Sequence, residues 1–91
     1  MAINVHFSTP LLKSTDNNSE ISLKGDTVKE VNDLICKRFP NFHSVLYDME
    51  GKISKVINIY VNDNDIRTLE GENTSVNDGD EVYFIPTISG G

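Results

Sequence analysis

The chain contains no tryptophan, one cysteine, three prolines, and eight lysines and arginines against fourteen acidic residues. Each shortage removes a class of function. A single cysteine, Cys36, cannot close an internal disulfide, and no CxxC or Cys/His pair offers metal-ligand spacing. Cys36 therefore reads as a small apolar residue on a helix rather than a reactive thiol. With a net charge of −6 and its few cations scattered, the chain is poorly suited to nucleic acid or an anionic membrane surface, because phosphate binding needs clustered Lys and Arg. A partner drawn by electrostatics would instead carry a basic surface. No apolar run approaches the roughly 20 residues that cross a bilayer. Met1 to Phe7 lacks the basic region and long apolar segment of a secretory signal. A cytoplasmic location is the expectation.

What is present fits one small soluble domain. Hydrophobic residues make up 37% and charged residues 24% of 91, enough for one modest core and too short for two. Ile3, Val5 and Phe7 alternate with polar neighbours, the period of a half-buried strand. Ser8 to Ser19 is mostly polar, with Pro10 and Asp16-Asn17-Asn18-Ser19 marking a loop, and Leu11 and Leu12 placed to cover one end of the core. Glu20 to Leu23 resumes the alternation. At Thr27 the period changes: Thr27-Val28-Lys29-Glu30 is a capping box, in which Glu30 reaches back to the Thr27 N–H. A helix follows, with Val28, Val31, Leu34 and Ile35 as its apolar stripe and Lys29, Asp33 and Lys37 outward. Pro40 limits its extension.

Phe42, Val45 and Leu46 predict a short second helix within Asn41 to Tyr47. Val56 to Val61 is the most strand-like run and is expected at the sheet centre, with Tyr60 on its more exposed side. Asn62 to Asp65 reads as a tight turn, with Ile66 to Thr68 returning as a short antiparallel strand; its acidic cluster lacks the glycine and final glutamate of a calcium loop. Leu69 to Asp80 is loop, where Gly79 can take positive φ and Asp78 can bond its own backbone. Glu81 to Ile85 is the last strand, with Val82 and Phe84 on one face and Tyr83 and Ile85 on the other, and Pro86 ends its donation to the ladder. The expected fold is α+β: a mixed five-stranded sheet with one main helix across it and a short second helix.

No catalytic constellation stands out. His6 lies on the polar phase of its strand and His43 has no Cys, Asp or second His at ligand spacing, so neither is assigned as ligand or base. Attention passes to Ser89, Gly90 and Gly91. A closing glycine pair is either a frayed end or a thin stalk presenting the α-carboxylate of Gly91 to another protein's active site.

The element order, together with Asn58-Ile59-Tyr60-Val61-Asn62-Asp63, Asp65-Ile66-Arg67, Asn77-Asp78-Gly79-Asp80-Glu81-Val82, Pro86 and Gly90-Gly91, resembles the ubiquitin-like β-grasp sulfur carriers. These include the molybdopterin synthase small subunit, the thiamine sulfur carrier and the cysteine-biosynthesis carrier, the last being the most similar. The resemblance covers nearly the whole chain and divides it into a β-grasp domain, 1–86, and a flexible diglycine tail, 87–91. It implies that an E1-like enzyme uses ATP to adenylate Gly91, and that a sulfur donor converts the adenylate to a thiocarboxylate, a nucleophile. The carrier itself would be no enzyme, a monomer on its own, with no bound cofactor or metal. A sulfur-accepting synthase, cysteine-synthase-like or a molybdopterin synthase large subunit, would be its second partner. Docking is expected on the exposed sheet face through Tyr60, Phe84, Pro86 and Ile88, although Phe84 equally suits the core. A ubiquitin-like modifier joined through Gly91 to target lysines, and a plain binding module, are the alternatives.

Overall fold

In a computed structural model, residues 2–87 are described. They form β1 (Ile3–Phe7), β2 (Glu20–Leu23), α1 (Val28–Arg38), α2 (Phe42–Leu46), β3 (Ile57–Val61), β4 (Asn64–Asp65) and β5 (Glu81–Pro86). The sheet order is β2-β1-β5-β3-β4, with β1 and β5 parallel and the other pairs antiparallel. The expected mixed sheet of five strands with one main helix is thus present. Its centre is β5 rather than β3, because the first and last strands pair directly, Asn4 opposite Glu81 and Phe7 opposite Phe84. Alternation along a strand reports two faces; it does not report which neighbours lie beside it.

One face of the sheet is covered. Ile3, Val5, Phe7, Ile57, Ile59, Val61, Val82 and Phe84 meet Val28, Val31 and Ile35 of α1 and Phe42 and Leu46 of α2 in a single core. Phe7, Phe42 and Phe84 form its aromatic centre, with ring centroids 5.2 to 5.6 Å apart. Leu11 enters the core from a 3-10 turn, Thr9–Ser14, inside the segment expected to be loop. Asp16 and Asn17 that follow adopt positive φ, which short polar side chains tolerate.

Helix α1 starts where the capping box predicts, and Thr27 Oγ1 accepts from the Glu30 N–H at 3.2 Å. Glu30 reaches one residue further back than expected, accepting from Asp26 N at 2.9 Å. Leu34 leaves the expected stripe and is 39% exposed. At about 100° per residue, Val28, Val31, Asn32 and Ile35 share one arc of the helix and Leu34 falls to the side of it; the buried place belongs to Asn32.

Two turns also differ from expectation. Asn62 takes φ of 55° and a two-residue link returns the chain as β4, Asn64–Asp65. Ile66–Thr68 is then a 3-10 turn rather than a strand, capped by Asp65, with Ile66 buried in the core. Gly79 has the expected positive φ, 88°. The Asp78 carboxylate, however, accepts from the Ala2 N–H at 2.6 Å, and Asp80 makes the local bond, to Asn77 N at 2.8 Å. No helix among the described residues is long and apolar enough to cross a membrane.

Candidate functional site on the open sheet face

Among the described residues, α1 and α2 both pack on the first face of the sheet, and neither covers the second. Because successive residues point to opposite faces, burying Val82 and Phe84 turns Glu81, Tyr83 and Ile85 of β5 outward, and burying Ile57 and Ile59 does the same for Asn58 and Tyr60 of β3. Tyr60 stands opposite Tyr83 in the register. A shallow hollow of about 370 Å³ is lined by Tyr60, Asn62, Asp63, Tyr83 and Ile85. Ile85 is 39% exposed, unusual for a residue at the centre of a sheet, where a β-branched side chain is normally covered.

Of the four expected docking residues, Tyr60 is partly exposed and belongs to this surface, whereas Pro86, also partly exposed, stands opposite the buried Ile57 and shares the inward phase of Val82 and Phe84. Phe84 does not belong to it either: it is fully buried, packed on Phe7 and Phe42. Its neighbours Tyr83 and Ile85 lie on the open face instead, and their shared phase along β5 was the signal that could have found them. Ile88, and with it Ser89, Gly90 and Gly91, lies outside the described residues.

Beside this apolar strip lies a charged one. His6 stacks on Tyr83 with centroids 4.6 Å apart and 14° between planes. Its Nε2 is 2.6 Å from Glu81 Oε1 and its Nδ1 is 3.7 Å from Glu20 Oε2. Asn4 donates to Glu81 Oε2 at 2.8 Å. The Asn4 hydrogen bond, then that of His6, holds the Glu81 carboxyl below its usual range. His6 is therefore a held, part-buried side chain rather than the plain surface residue of the sequence reading. One atom from each of His6, Glu20 and Glu81 lies within 4.8 Å of the others.

On the opposite side of the molecule, Glu72 accepts from Asn32 Nδ2 at 2.9 Å and from the Tyr47 hydroxyl at 2.6 Å, tying the Gly71–Asn73 turn to α1. Cys36 borders the same hollow as Lys29, His43, Tyr47 and Glu72. Burial pushes its thiol above the ordinary value, which disfavours the thiolate needed for reactivity. His43 is exposed.

The ThiS family model matches residues 5–91. The chain belongs to the ThiS family. Its homologues include the sulfur carrier protein CysO of Mycobacterium tuberculosis, 33% identical over 93 residues and aligned over 100% of both chains. A chain in the crystal structure of the Amycolatopsis orientalis BexX/CysO complex superimposes with a TM-score of 0.88 at 34% identity, covering 99% of this chain and 100% of that one. The small archaeal modifier protein 1 of Methanosarcina acetivorans gives 0.85 at 29% identity, covering 99% and 96%. The homologues named as sulfur carriers in this ThiS family are small carrier proteins, and the ubiquitin-like β-grasp fold expected from the sequence is the fold of these neighbours.

Proposed function

We propose that this ThiS-family protein carries sulfur on Gly91 for the biosynthesis of cysteine or a related thiol. The observation that carries the reading is end-to-end homology with the sulfur carrier CysO. In the proposed cycle the Gly91 carboxylate attacks the α-phosphorus of ATP on an E1-like enzyme and pyrophosphate leaves. A sulfide-equivalent nucleophile then attacks the acyl carbon, AMP leaves, and a thiocarboxylate remains. ATP is consumed by the partner, and the carrier binds no cofactor of its own. Glycine at both final positions leaves the acyl carbon uncrowded.

The open face supplies a surface for docking. Tyr60, Tyr83 and Ile85 provide apolar anchors of the kind that dominate interfaces. Glu20 and Glu81 beside them suit a basic partner surface. The partners of this reading are an E1-like adenylating and sulfur-transferring enzyme and a sulfur-accepting synthase, cysteine-synthase-like in preference to a molybdopterin synthase large subunit. That a CysO chain occurs in a BexX/CysO complex supports docking to a partner protein.

Intact-mass measurement after incubation with ATP, the adenylating enzyme and a sulfide source tests the proposal. One oxygen should be replaced by one sulfur at Gly91, and an unchanged C-terminal peptide would sink the reading. The likeness to an archaeal modifier protein favours a second one, conjugation of Gly91 to lysines of other proteins. Its chemistry is shared as far as the adenylate. High-mass adducts in cell extract that vanish when Gly90 and Gly91 are deleted would support it.

A further inference from the structure

A connected run of polar side chains surrounds the point where β5 gives way to the tail. The Asp65 carboxylate accepts from Arg67 Nε at 3.1 Å and from Nη2 at 2.7 Å. The same Nη2 donates to Asn58 Oδ1 at 2.7 Å, and Asn58 Nδ2 donates to Thr87 Oγ1 at 3.0 Å. The Thr87 hydroxyl in turn donates to the Lys55 carbonyl at 3.3 Å, while Thr87 N donates to the Val56 carbonyl at 2.7 Å. Every sense in this run is dictated. Guanidinium has no acceptor, so Asn58 must turn its oxygen to Arg67 and its amide nitrogen to Thr87, which leaves the hydroxyl hydrogen for Lys55.

The run sits immediately beyond Pro86, where the sequence alone predicts that pairing stops. Pairing continues because Glu81 and Thr87 face β3, and alternation turns Pro86, with its missing N–H, away from it. The first residue past the proline is thereby fastened by its side chain to Asn58 of β3 and by its backbone and hydroxyl to Val56 and Lys55 just before that strand.

We propose that Thr87 and Asn58 are positioning residues for loading of Gly91, fixing the origin from which the tail enters the adenylating enzyme. This rests on the sulfur-carrier reading above. Residues 88–91 span roughly 13–14 Å when fully extended, so one residue of slack at the origin displaces the acyl carbon by about a quarter of its reach. A held origin raises the fraction of docked carriers whose carboxylate meets ATP, which is a gain in orientation rather than in docking.

Steady-state pyrophosphate release with the adenylating enzyme and ATP tests this on four full-length proteins: wild type, Thr87→Val, Thr87→Ser and Asn58→Ala. Thr87→Val should lower kcat roughly three- to ten-fold, as expected for losing one or two exposed hydrogen bonds, and leave KM for the carrier within about two-fold. Thr87→Ser should restore kcat. Asn58→Ala should reproduce the loss, and combining it with Thr87→Val should add little, since both cut one network. Unchanged melting temperatures would separate these effects from misfolding. Equal kcat for wild type and Thr87→Val overturns the proposal, and so does a rise confined to KM, which would make Thr87 a docking residue. Absence of pyrophosphate release from wild type overturns the sulfur-carrier reading instead.

Discussion

Phe84 and Ile85 are neighbours in the chain with opposite environments, one fully buried and the other 39% exposed. Phe84→Ala should cost about 3–5 kcal/mol through the cavity left between Phe7 and Phe42, measured by urea unfolding. Ile85→Ala should change stability by only about 0.5 kcal/mol and raise KM for the adenylating enzyme several-fold. The reverse pattern would refute the placement of the docking strip. Alternation along Glu81 to Ile85 made the two sets of side chains legible, but both sets are apolar or aromatic, so only the neighbouring strands and helices reveal which set is inside. Tyr47 offers a test by pH. Burial first, then its hydrogen bond to Glu72, pushes its hydroxyl well above the ordinary value, which is about 10. The folded protein therefore holds this proton more tightly than the unfolded chain does. The stabilisation is complete below about pH 10 and is lost as pH rises through the folded value. Tyr47→Phe should be less stable than wild type at pH 8, and the difference should narrow above about pH 10; a constant difference would disprove the linkage.

Helix α1 and the β3–β4 turn show how unevenly local signals read out. The start of α1 was legible because capping is a local contract between Thr27 and Glu30. Thr27→Ala should cost about 1 kcal/mol by thermal or urea unfolding while sulfur loading persists, since the cap lies away from the docking strip. A folded variant that cannot be loaded would give the helix start a partner-binding role. The segment after Asn62 was not legible in detail: the Asp65 cap of the 3-10 turn is local, but Ile66 is drawn into the core, an effect set by tertiary packing. Asn32 was missed for a similar reason: its partner Glu72 is 40 residues away. The run from Asp65 to Thr87 was invisible for the same cause, being assembled from two strands and a turn.

For the protein taken entire, the order of elements, the mixed sheet and its single covered face were readable from periodicity, and the resemblance to sulfur carriers was readable from motifs. The strand order was not, since it depends on the first and last strands pairing across most of the chain. Net charge adds a prediction. With −6 overall and Glu20 and Glu81 beside the docking strip, association with a basic enzyme surface should slow roughly ten-fold from low to high salt. Stopped-flow association rates check this, and rates indifferent to salt would show that shape alone guides the encounter.

The central position of β5 bears on force as well as on assembly. A pull applied at Thr87 runs along a strand held by β1 on one side and β3 on the other. The load is shared as shear across two ladders at once, so no single hydrogen bond can open ahead of the rest as in a zipper. Forced unfolding is governed by the unfolding barrier rather than by equilibrium stability. An enzyme that grips the tail can therefore tug on it and release it without unravelling the carrier.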